Sequence, residues 1–300
     1  MSESTKTLVQ IEEEWEKEGR YGSREERMQR TSRWLPYYAL LAEKQKDKPF
    51  DEKEDPTGFI GILRETGCLC EGDEALDIGA GAGDYSLRFA CSCRSVTALD
   101  PCGESLDILR HRAKEKHIEN VRTVQASWES YEAEEEIENG RHVRAPLENG
   151  KAEDASFDLV FLSMCPVICN VEEIKRMEAL SRRSCAIVTV MPGSQDEHRR
   201  AMMKEWQLHP AGMMTGAARY QEVLSAMGRE VSVFPRTLSY RSGYDREAFC
   251  EKYTVYFYVF GLPREKTVPY LNDYFDRHAE SGTLWEESRL NLALLTWPVR

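Results

Sequence analysis

A glycine-rich turn directly after an apolar strand is the feature that most constrains the fold of this chain. The sequence LDIGAGAG at residues 76–83 passes through apolar residues to an acid and then places glycine at every second position. A strand that turns sharply into a helix needs glycine where φ is positive or where a ligand lies against the backbone. Such a turn also exposes amide N–H groups near the positive end of the next helix. The pattern predicts a strand–turn–helix unit that binds a ligand.

The spacing of the glycines indicates which kind of nucleotide the turn can bind. In the dinucleotide motif G-x-G-x-x-G, the third glycine lies three residues after the second. Here Gly83 lies two residues after Gly81, and Asp84 occupies the position where a dehydrogenase has glycine. The sequence has no phosphate-binding motif of the G-x-x-x-x-G-K-[S/T] type. The turn therefore favours a nucleoside ligand without a pyrophosphate.

An aspartate, Asp100, ends the next apolar stretch of the chain. In doubly wound sheets, an acid at the end of the second strand can accept hydrogen bonds from both ribose hydroxyls. The alternative is a turn or helix-capping aspartate, because Pro101 and Gly103 follow it. Its position 23 residues after Asp77 favours the ribose role.

Strand-like and helix-like segments alternate from residue 74 onward. This alternation predicts a parallel, doubly wound sheet. The predicted strands are residues 75–78, 95–99, 121–125, 157–162 and 185–191, and the predicted helices are residues 85–91, 105–116 and 171–180. Residues 131–156 between the third and fourth strands are acidic and poor in apolar residues. We interpret them as a surface insertion, with a lid element as the alternative.

Helices are also predicted on both sides of this alternating region. Residues 7–47 form two helices, the second with Pro36 in it, and a short helix covers residues 59–66. A helix at 217–227 and a strand at 230–240 follow the fifth strand, and then come helices at 246–260 and 268–278 and a last strand at 290–297. We expect an α/β fold with a doubly wound, seven-stranded, mostly parallel sheet. Residues 1–66 would form a helical cap and residues 67–300 a Rossmann-like domain, whose helical insertion at about 244–285 would complete a lid.

The motifs together resemble those of the class I S-adenosylmethionine-dependent methyltransferase family. The resemblance rests on LDIGAGAG (76–83), VTALDP (96–101), VQASW (124–128) and FDLVFLSMCP (157–166), and it covers roughly residues 70–195. The last two predicted strands fit the terminal β-hairpin of the family. The segment SMCP (163–166) is similar to that of uncharacterised bacterial members thought to act on small molecules.

The resemblance implies a binding site for S-adenosylmethionine, with S-adenosylhomocysteine as the product. The turn residues would line the methionine part, Asp100 would hold the ribose, and the residues after the third strand would flank the adenine. Many members have an acid where Ser127 stands, and Trp128 would either stack on the base or pack in the core. The implied cofactor residues are Asp77, Gly79, Ala80, Gly81, Asp100, Pro101, Ser127, Trp128, Leu162 and Ser163.

The methyl acceptor is the part of the function that these motifs leave open. Methyl transfer from a sulfonium is an in-line displacement that needs positioning and, for some acceptors, a base. Candidate reactive residues are Cys165, for which a small buried apolar role is the alternative, and the histidines His198 and His209. Trp34 and its neighbours Tyr37 and Tyr38 lie in the segment that would cap the acceptor pocket.

Composition narrows the class of acceptor and the location of the protein. A formal net charge of −12 repels phosphate backbones and disfavours nucleic acid as a partner. The chain starts without a signal-peptide pattern and has no apolar run of roughly 18 residues, so we expect a cytoplasmic protein. Its nine cysteines lack the spacing of metal sites, and we expect no bound metal. We therefore expect a small-molecule acceptor. A protein or RNA methyltransferase and a non-catalytic, cofactor-binding regulator are the alternatives, and the oligomeric state is not predicted.

Overall fold

A computed structural model of the protein describes residues 6–17, 23–46, 48, 50–51, 53–131, 156–208 and 214–299. The predicted acidic insertion lies outside the described residues except for its first and last positions, and so does His209. No helix among the described residues combines the length and the apolar character that crossing a membrane requires.

Five parallel strands form one half of the sheet. They are β1 (Glu74–Ile78), β2 (Ser95–Asp100), β3 (Val121–Gln125), β4 (Phe157–Ser163) and β5 (Ser181–Val190). They lie in the order β3-β2-β1-β4-β5, so the order reverses at β1 as in a doubly wound sheet. Loops from the carboxyl ends of β1 and β4 diverge at this reversal, which is where such sheets bind ligands.

The other half of the sheet is antiparallel. β7 (Ser232–Tyr244) and β8 (Leu284–Pro298) form a long hairpin, and β8 also pairs with β5. A two-residue strand, β6 (Gln195–Asp196), pairs with β8 at Ser288 and Arg289. The predicted doubly wound, mostly parallel sheet is confirmed, and the short β6 adds an eighth strand to the seven predicted.

Ten helices surround the described part of the sheet. They are α1 (Leu8–Lys17), α2 (Arg24–Glu43), α3 (Phe59–Glu65), α4 (Ser86–Ala90), α5 (Gly103–Glu115), α6 (Val171–Ala179), α7 (Glu197–Glu205), α8 (Ala217–Ala226), α9 (Arg246–Tyr258) and α10 (Arg264–His278). β4 lies in the middle of these layers. Its Leu159, Val160 and Phe161 are fully buried, which explains the unbroken apolar run in this strand.

The helix α2 begins at a capping box. Ser23 accepts a hydrogen bond from the backbone N–H of Glu26, and the Glu26 carboxylate accepts one from the N–H of Ser23. Pro36 lies inside α2, which continues beyond it to Glu43. This helix crosses the carboxyl end of the sheet and contacts α5 and α9.

The helices α9 and α10 follow β7 and precede β8 along the chain. They pack around Phe249, Tyr253 and Phe257 of α9 and Leu271 of α10, all of which are buried. Trp34 of α2 packs against the same cluster. The helix α2 and the insertion therefore share one aromatic core next to the carboxyl end of the sheet. Whether residues 1–66 act as a cap and 244–285 as a lid remains a prediction.

Candidate cofactor site

A cavity of about 360 Å³ opens at the carboxyl ends of β1, β2 and β4. This volume lies within the range of roughly 300–1,000 Å³ found for small-ligand pockets. The glycine turn after β1 forms one wall. The opposite wall is a single face of α2, whose contributing residues recur at three- and four-residue spacing and include Thr31, Trp34, Tyr38 and Leu41, and Gln45 just after the helix extends this wall.

The glycine turn has the backbone conformation that its sequence predicts. Gly79, Gly81 and Gly83 all have positive φ. The N–H groups of Gly79 and Ala80 both donate to the carbonyl of Leu99, at 2.8 and 3.0 Å, which fixes the turn against β2. A Cβ on Gly79 would lie 2.7 Å from Sγ of Cys165, whereas a Cβ on Gly81 would meet no protein atom within 4 Å. The turn thus packs on one side and faces open space on the other.

Asp100 lies beside this turn and lines the cavity. Its Oδ2 accepts the N–H of Gly81 at 2.9 Å, and its Oδ1 accepts the N–H of Cys102 at 2.8 Å. Asp100 therefore has the turn role that was one alternative to ribose binding, because it accepts the N–H two residues further along the chain. Its carboxylate nevertheless stays at the cavity wall. Only 7% of the residue is exposed, and this burial raises the pKa of Asp100. A neighbouring hydrogen-bond donor from a ligand would favour its charged form.

Asp77 is the second buried acid at the cavity. Its Oδ2 accepts a hydrogen bond of 2.6 Å from the hydroxyl of Ser86. Burial is the main cause that raises the pKa of Asp77 to about 7, although the Ser86 bond opposes the shift. Asp77 is therefore ready to gain or lose a proton near neutral pH, and a cation bound beside it would favour the ionised form.

Trp128 lines the cavity and is also part of the core, so both interpretations of it hold in part. Its Nε1 donates to Oε2 of Glu173 at 2.5 Å, and the guanidinium of Arg176 lies 4.0 Å from the ring centroid. Glu173 also accepts a 2.7 Å hydrogen bond from Arg27 of α2. One carboxylate thus joins the expected adenine side of the site to the helix that covers it.

The structure brings most of the implied cofactor residues to this cavity. Those at its wall are Asp77, Gly79, Ala80, Gly81, Asp100, Pro101, Trp128 and Ser163. Two residues of the expected set do not line it. The hydroxyl of Ser127 lies 3.0 Å from that of Ser130 in a turn of the backbone, and Leu162 points into the core. Each of them is next to a residue that does line the cavity. Successive side chains of an extended segment point in opposite directions, so a neighbour of a lining residue can point away from the cavity.

The candidate reactive residues are in different places. Cys165 lines the cavity, and burial raises the pKa of its thiol, so the group stays protonated. His198 is not among the residues that line the cavity. Its Nδ1 lies 3.0 Å from the hydroxyl of Tyr274 and its Nε2 lies 3.1 Å from the carbonyl of Trp285.

Tyr85 lines the cavity and was missed by the sequence analysis. Its ring packs on Phe161 with centroids 4.7 Å apart, and burial raises the pKa of its hydroxyl to about 12. The available signal was its position two residues after Gly83, where the chain turns into α4. Within the described part of the chain, no group of three or more His, Cys, Asp or Glu residues is placed to hold a metal ion.

Comparisons with known proteins agree with this geometry. Residues 75–137 match the family model of a methyltransferase domain. The chain therefore carries a methyltransferase domain. The chain is 36% identical over 95 residues to the uncharacterized methyltransferase YcgJ of Bacillus subtilis, a match that covers 31% of this chain and 36% of that protein. The match thus spans about a third of the relative's length.

Solved structures of methyltransferases show more distant similarity. The crystal structure of YcgJ from Bacillus subtilis has 17% sequence identity and a TM-score of 0.45, and the comparison covers 80% of this chain and 97% of that chain. A methyltransferase from Aquifex aeolicus, described as dependent on S-adenosylmethionine, has 20% identity and a TM-score of 0.41, with 67% and 91% covered.

Proposed function

We propose that the protein is an active methyltransferase that holds S-adenosylmethionine in the 360 Å³ cavity and transfers its methyl group to a small-molecule acceptor by in-line displacement. The observation that carries the proposal is the position of Asp100. Its carboxylate lines the cavity beside a glycine turn whose outer side is open to a ligand. An acid and a glycine turn at the reversal point of a doubly wound sheet suit a nucleoside with an amino-acid tail.

The residues of the cavity fit this cofactor. Asp100 would accept the ribose hydroxyls, and the backbone between Gly79 and Gly81 would lie against the methionine part, with Asp77 behind it. Trp128 and Pro101 would flank the adenine side. When bound, the cofactor supplies a methyl group that is already activated by its positive sulfur. The protein then has to orient the acceptor and exclude water.

The acceptor would approach from the side of Cys165 and α2. Burial keeps the Cys165 thiol and the Tyr38 hydroxyl protonated, because it raises the pKa of both groups. Neither is suited to removing a proton, so we propose that they shape the site and that the acceptor arrives with its lone pair available. A cavity covered by a helix and a net charge of −12 support a small molecule over a protein or RNA.

Two further proposals concern the lid of the acceptor pocket and the location of the protein. The helix α2 and the insertion of α9 and α10 would act as the lid over the acceptor, since both meet at Trp34 beside the cavity.

The described cysteines carry free thiols, which suits a reducing compartment and supports a cytoplasmic location.

Calorimetric titration of S-adenosylhomocysteine and S-adenosylmethionine into the wild type and Asp100→Ala tests the function. Hydrogen bonds from ribose to a carboxylate contribute roughly 1.5–3 kcal/mol each, so the variant should bind at least about tenfold more weakly. Asp107→Ala is the control, because Asp107 is an exposed residue of α5 that pairs with Arg110. Absence of binding to the folded wild type, or equal binding by Asp100→Ala, would contradict the proposal. Binding without slow cofactor turnover would favour the non-catalytic regulator.

A further inference from the structure

A second cavity, of about 500 Å³, lies beside the start of α3, and we name it the α3 cavity. It shares no described lining residue with the cofactor cavity. Three basic side chains line it, Lys53 before α3, Arg64 of α3 and Arg88 of α4, and Asp55 is the one acid among its described lining residues. In a protein with a formal net charge of −12, a cavity with an excess of basic side chains favours an anionic ligand.

The carboxylate of Asp55 is occupied by its own loop. Its Oδ1 accepts hydrogen bonds from the hydroxyl of Thr57 at 2.8 Å and from the N–H of Gly58 at 3.0 Å. Its Oδ2 accepts the N–H of Ile60 at 2.8 Å. Among the described residues, Asp55 forms no ion pair with a basic side chain. One negative charge held in this way does not offset the three positive charges of the α3 cavity.

Arg64 and Lys53 keep donors that the described part of the chain does not use. Nη2 of Arg64 donates to the hydroxyl of Ser92 at 3.1 Å, and this is the one hydrogen bond of its side chain with a described residue. The ammonium group of Lys53 has no partner among the described residues. Both side chains are exposed, so both can turn toward a ligand in the cavity.

Arg88, in contrast, is fixed in place by neutral groups. Its guanidinium donates to the carbonyls of Glu54 and Asp51, at 2.8 and 3.1 Å, and to the carbonyl of Asp84. It also lies 4.7 Å from the ring centroid of Phe50. Each terminal nitrogen carries a further N–H that these bonds do not use. Arg88 therefore contributes an ordered positive charge that no described carboxylate pairs with.

The size of the α3 cavity selects among anions. A volume of about 500 Å³ lies within the range of pockets for small organic ligands, and a free phosphate ion would fill only a small part of it. The wall beside the charges is formed by Gly58, Ile60 and Gly61. A Cβ on Gly61 would meet no protein atom within 4 Å, so the space along α3 is open. This space suits an uncharged body attached to the anionic group.

We propose that the α3 cavity binds a small organic phosphate monoester. Its phosphate would contact Lys53, Arg64 and Arg88, and its organic part would lie along Ile60 and Gly61. Guanidinium and ammonium groups both bind phosphate oxygens. A doubly charged phosphate fits better than a carboxylate, because each negative charge is attracted by all three basic groups. The α3 cavity is separate from the cofactor cavity, so this proposal does not depend on the proposed function.

Calorimetric titration of phenyl phosphate at low ionic strength and about pH 8, where the phosphate is doubly charged, tests the site. Phenyl phosphate should bind the wild type at least about tenfold more tightly than Arg64→Gln or Lys53→Gln, because each variant loses a charge-assisted contact. Arg277→Gln is the matched control and should bind like the wild type. Arg277 is an exposed arginine of α10 that pairs with Asp273. Benzoate, with one charge, and inorganic phosphate, without an organic body, should both bind the wild type more weakly than phenyl phosphate.

Filling the cavity tests the site while its charges stay in place. In Gly61→Leu the new side chain would enter the open space beside α3, and leucine is a better helix former than glycine. The thermal midpoint of this variant should therefore equal or exceed that of the wild type. Its affinity for phenyl phosphate should fall at least about tenfold, because the leucine takes the place of the organic part.

Four results would overturn the assignment. They are equal affinity of the wild type, Arg64→Gln and Lys53→Gln for phenyl phosphate, unchanged binding by a folded Gly61→Leu, binding of benzoate or inorganic phosphate as tight as that of phenyl phosphate, and no saturable binding at millimolar concentrations. Circular dichroism of each variant shows that it is folded. S-adenosylhomocysteine affinity, measured on the same samples, reports on the cofactor cavity separately, since none of the substituted residues lines it.

Discussion

At the scale of single residues, burial sets the protonation equilibrium of Asp77 and Asp100, which lie near the ends of β1 and β2. Both lie at the cavity wall, and burial raises the pKa of each above its ordinary value. The glycine turn between them is held by backbone hydrogen bonds to Leu99. These residues are therefore fixed before any ligand binds, at some cost in stability that a bound cofactor would offset.

Replacing Asp77 by asparagine should remove a pH dependence of stability. The folded-state pKa of Asp77 is about 7 and its ordinary value is 3.8, so the folded protein binds more protons between these values. The stabilisation is full below the lower value and is lost as the pH rises through about 7. Between about pH 5.5 and about pH 8.5, the wild type should lose about 2 kcal/mol of unfolding free energy relative to Asp77→Asn. Urea unfolding of both at the two pH values measures this difference.

The exposed Asp107→Asn variant is the control for this comparison, because its side chain is 74% exposed. It should follow the pH profile of the wild type. If Asp77→Asn also follows that profile, the carboxyl of Asp77 does not titrate near neutral pH.

The two glycines of the turn should respond differently to alanine. Both have positive φ, which costs an alanine about 1–2 kcal/mol. In Gly79→Ala the new Cβ also meets Sγ of Cys165 at 2.7 Å, whereas in Gly81→Ala it meets no protein atom. Thermal unfolding should show a larger loss of stability for Gly79→Ala. A larger loss for Gly81→Ala would show that the turn packs differently.

At the scale of secondary-structure elements, α2 is fixed over the cavity near both of its ends. Near its start, Arg27 bonds Glu173 of α6. Just after its end, Arg112 of α5 donates to the carbonyls of Gln45 and Ala82, at 3.0 and 3.1 Å, and so joins the chain after α2 to the glycine turn. A ligand of the cavity would therefore enter and leave at a rate that depends on these contacts.

Arg27→Gln should speed the dissociation of S-adenosylhomocysteine. The lost hydrogen bond is charge-assisted and largely buried, so it contributes about 1.5–3 kcal/mol to holding the start of α2 against α6. We expect dissociation at least about tenfold faster in stopped-flow fluorescence, with Trp34 in the cavity wall as a reporter. Lys175→Gln, which breaks an exposed pair with Glu172, should leave the rate unchanged. An unchanged rate for Arg27→Gln would mean that the start of α2 stays closed during ligand exchange.

The sequence predicted the central strands well and the ends of others less well. β5 begins at Ser181, four residues before its predicted start, and its early arginines pair with acids of neighbouring strands, as Arg182 does with Asp158. β8 begins at Leu284, six residues early, and includes the buried Glu286. Polar residues interrupt the apolar pattern in these segments, so the sequence does not show that the strands extend through them. These residues are buried or paired because their partners come from distant parts of the chain. Local patterns carry no information about such pairing.

The site shows the same division between local and distant information. The glycine turn and Asp100 were predictable, because each is fixed by its own strand and the turn that follows. The sequence also placed Trp34 and Tyr38 in a segment expected to cap the pocket, but it could not give the whole face of α2 that lines the cavity, since that depends on how separate helices pack. Ser127 and Leu162 each lie one position from a residue that lines the cavity, since the sequence indicates the end of a strand but not which side chain there faces the ligand, and their cofactor roles stay predictions.

At the scale of the whole molecule, β8 joins the parts of the fold. Its later residues lie between β5 and β7, and its earlier residues lie between β7 and β6, beside the insertion. Leu294 is fully buried on one face of the sheet and Leu295 on the other. A substitution in this strand should therefore alter the packing on both faces of the sheet.

Leu294→Ala should lower the stability of the cofactor site and of the insertion together. A fully buried leucine replaced by alanine costs about 2–5 kcal/mol. The urea midpoint should shift equally whether unfolding is followed by circular dichroism or by loss of S-adenosylhomocysteine binding. Val9→Ala, at a residue of α1 that is 62% exposed, should shift neither. Separate midpoints for the two probes would show that the insertion unfolds independently.

The position of β8 also has a consequence for the order in which the protein is made. A ribosome releases the residues of the cofactor cavity, including the glycine turn and Asp100, well before it releases residues 284–298. Until then β5 has an open edge in the middle of the future sheet, and β7 has no strand to join it to β5. A nascent chain paused after α10 would therefore present its most apolar strands, β4 and β5, to the translation machinery and to chaperones.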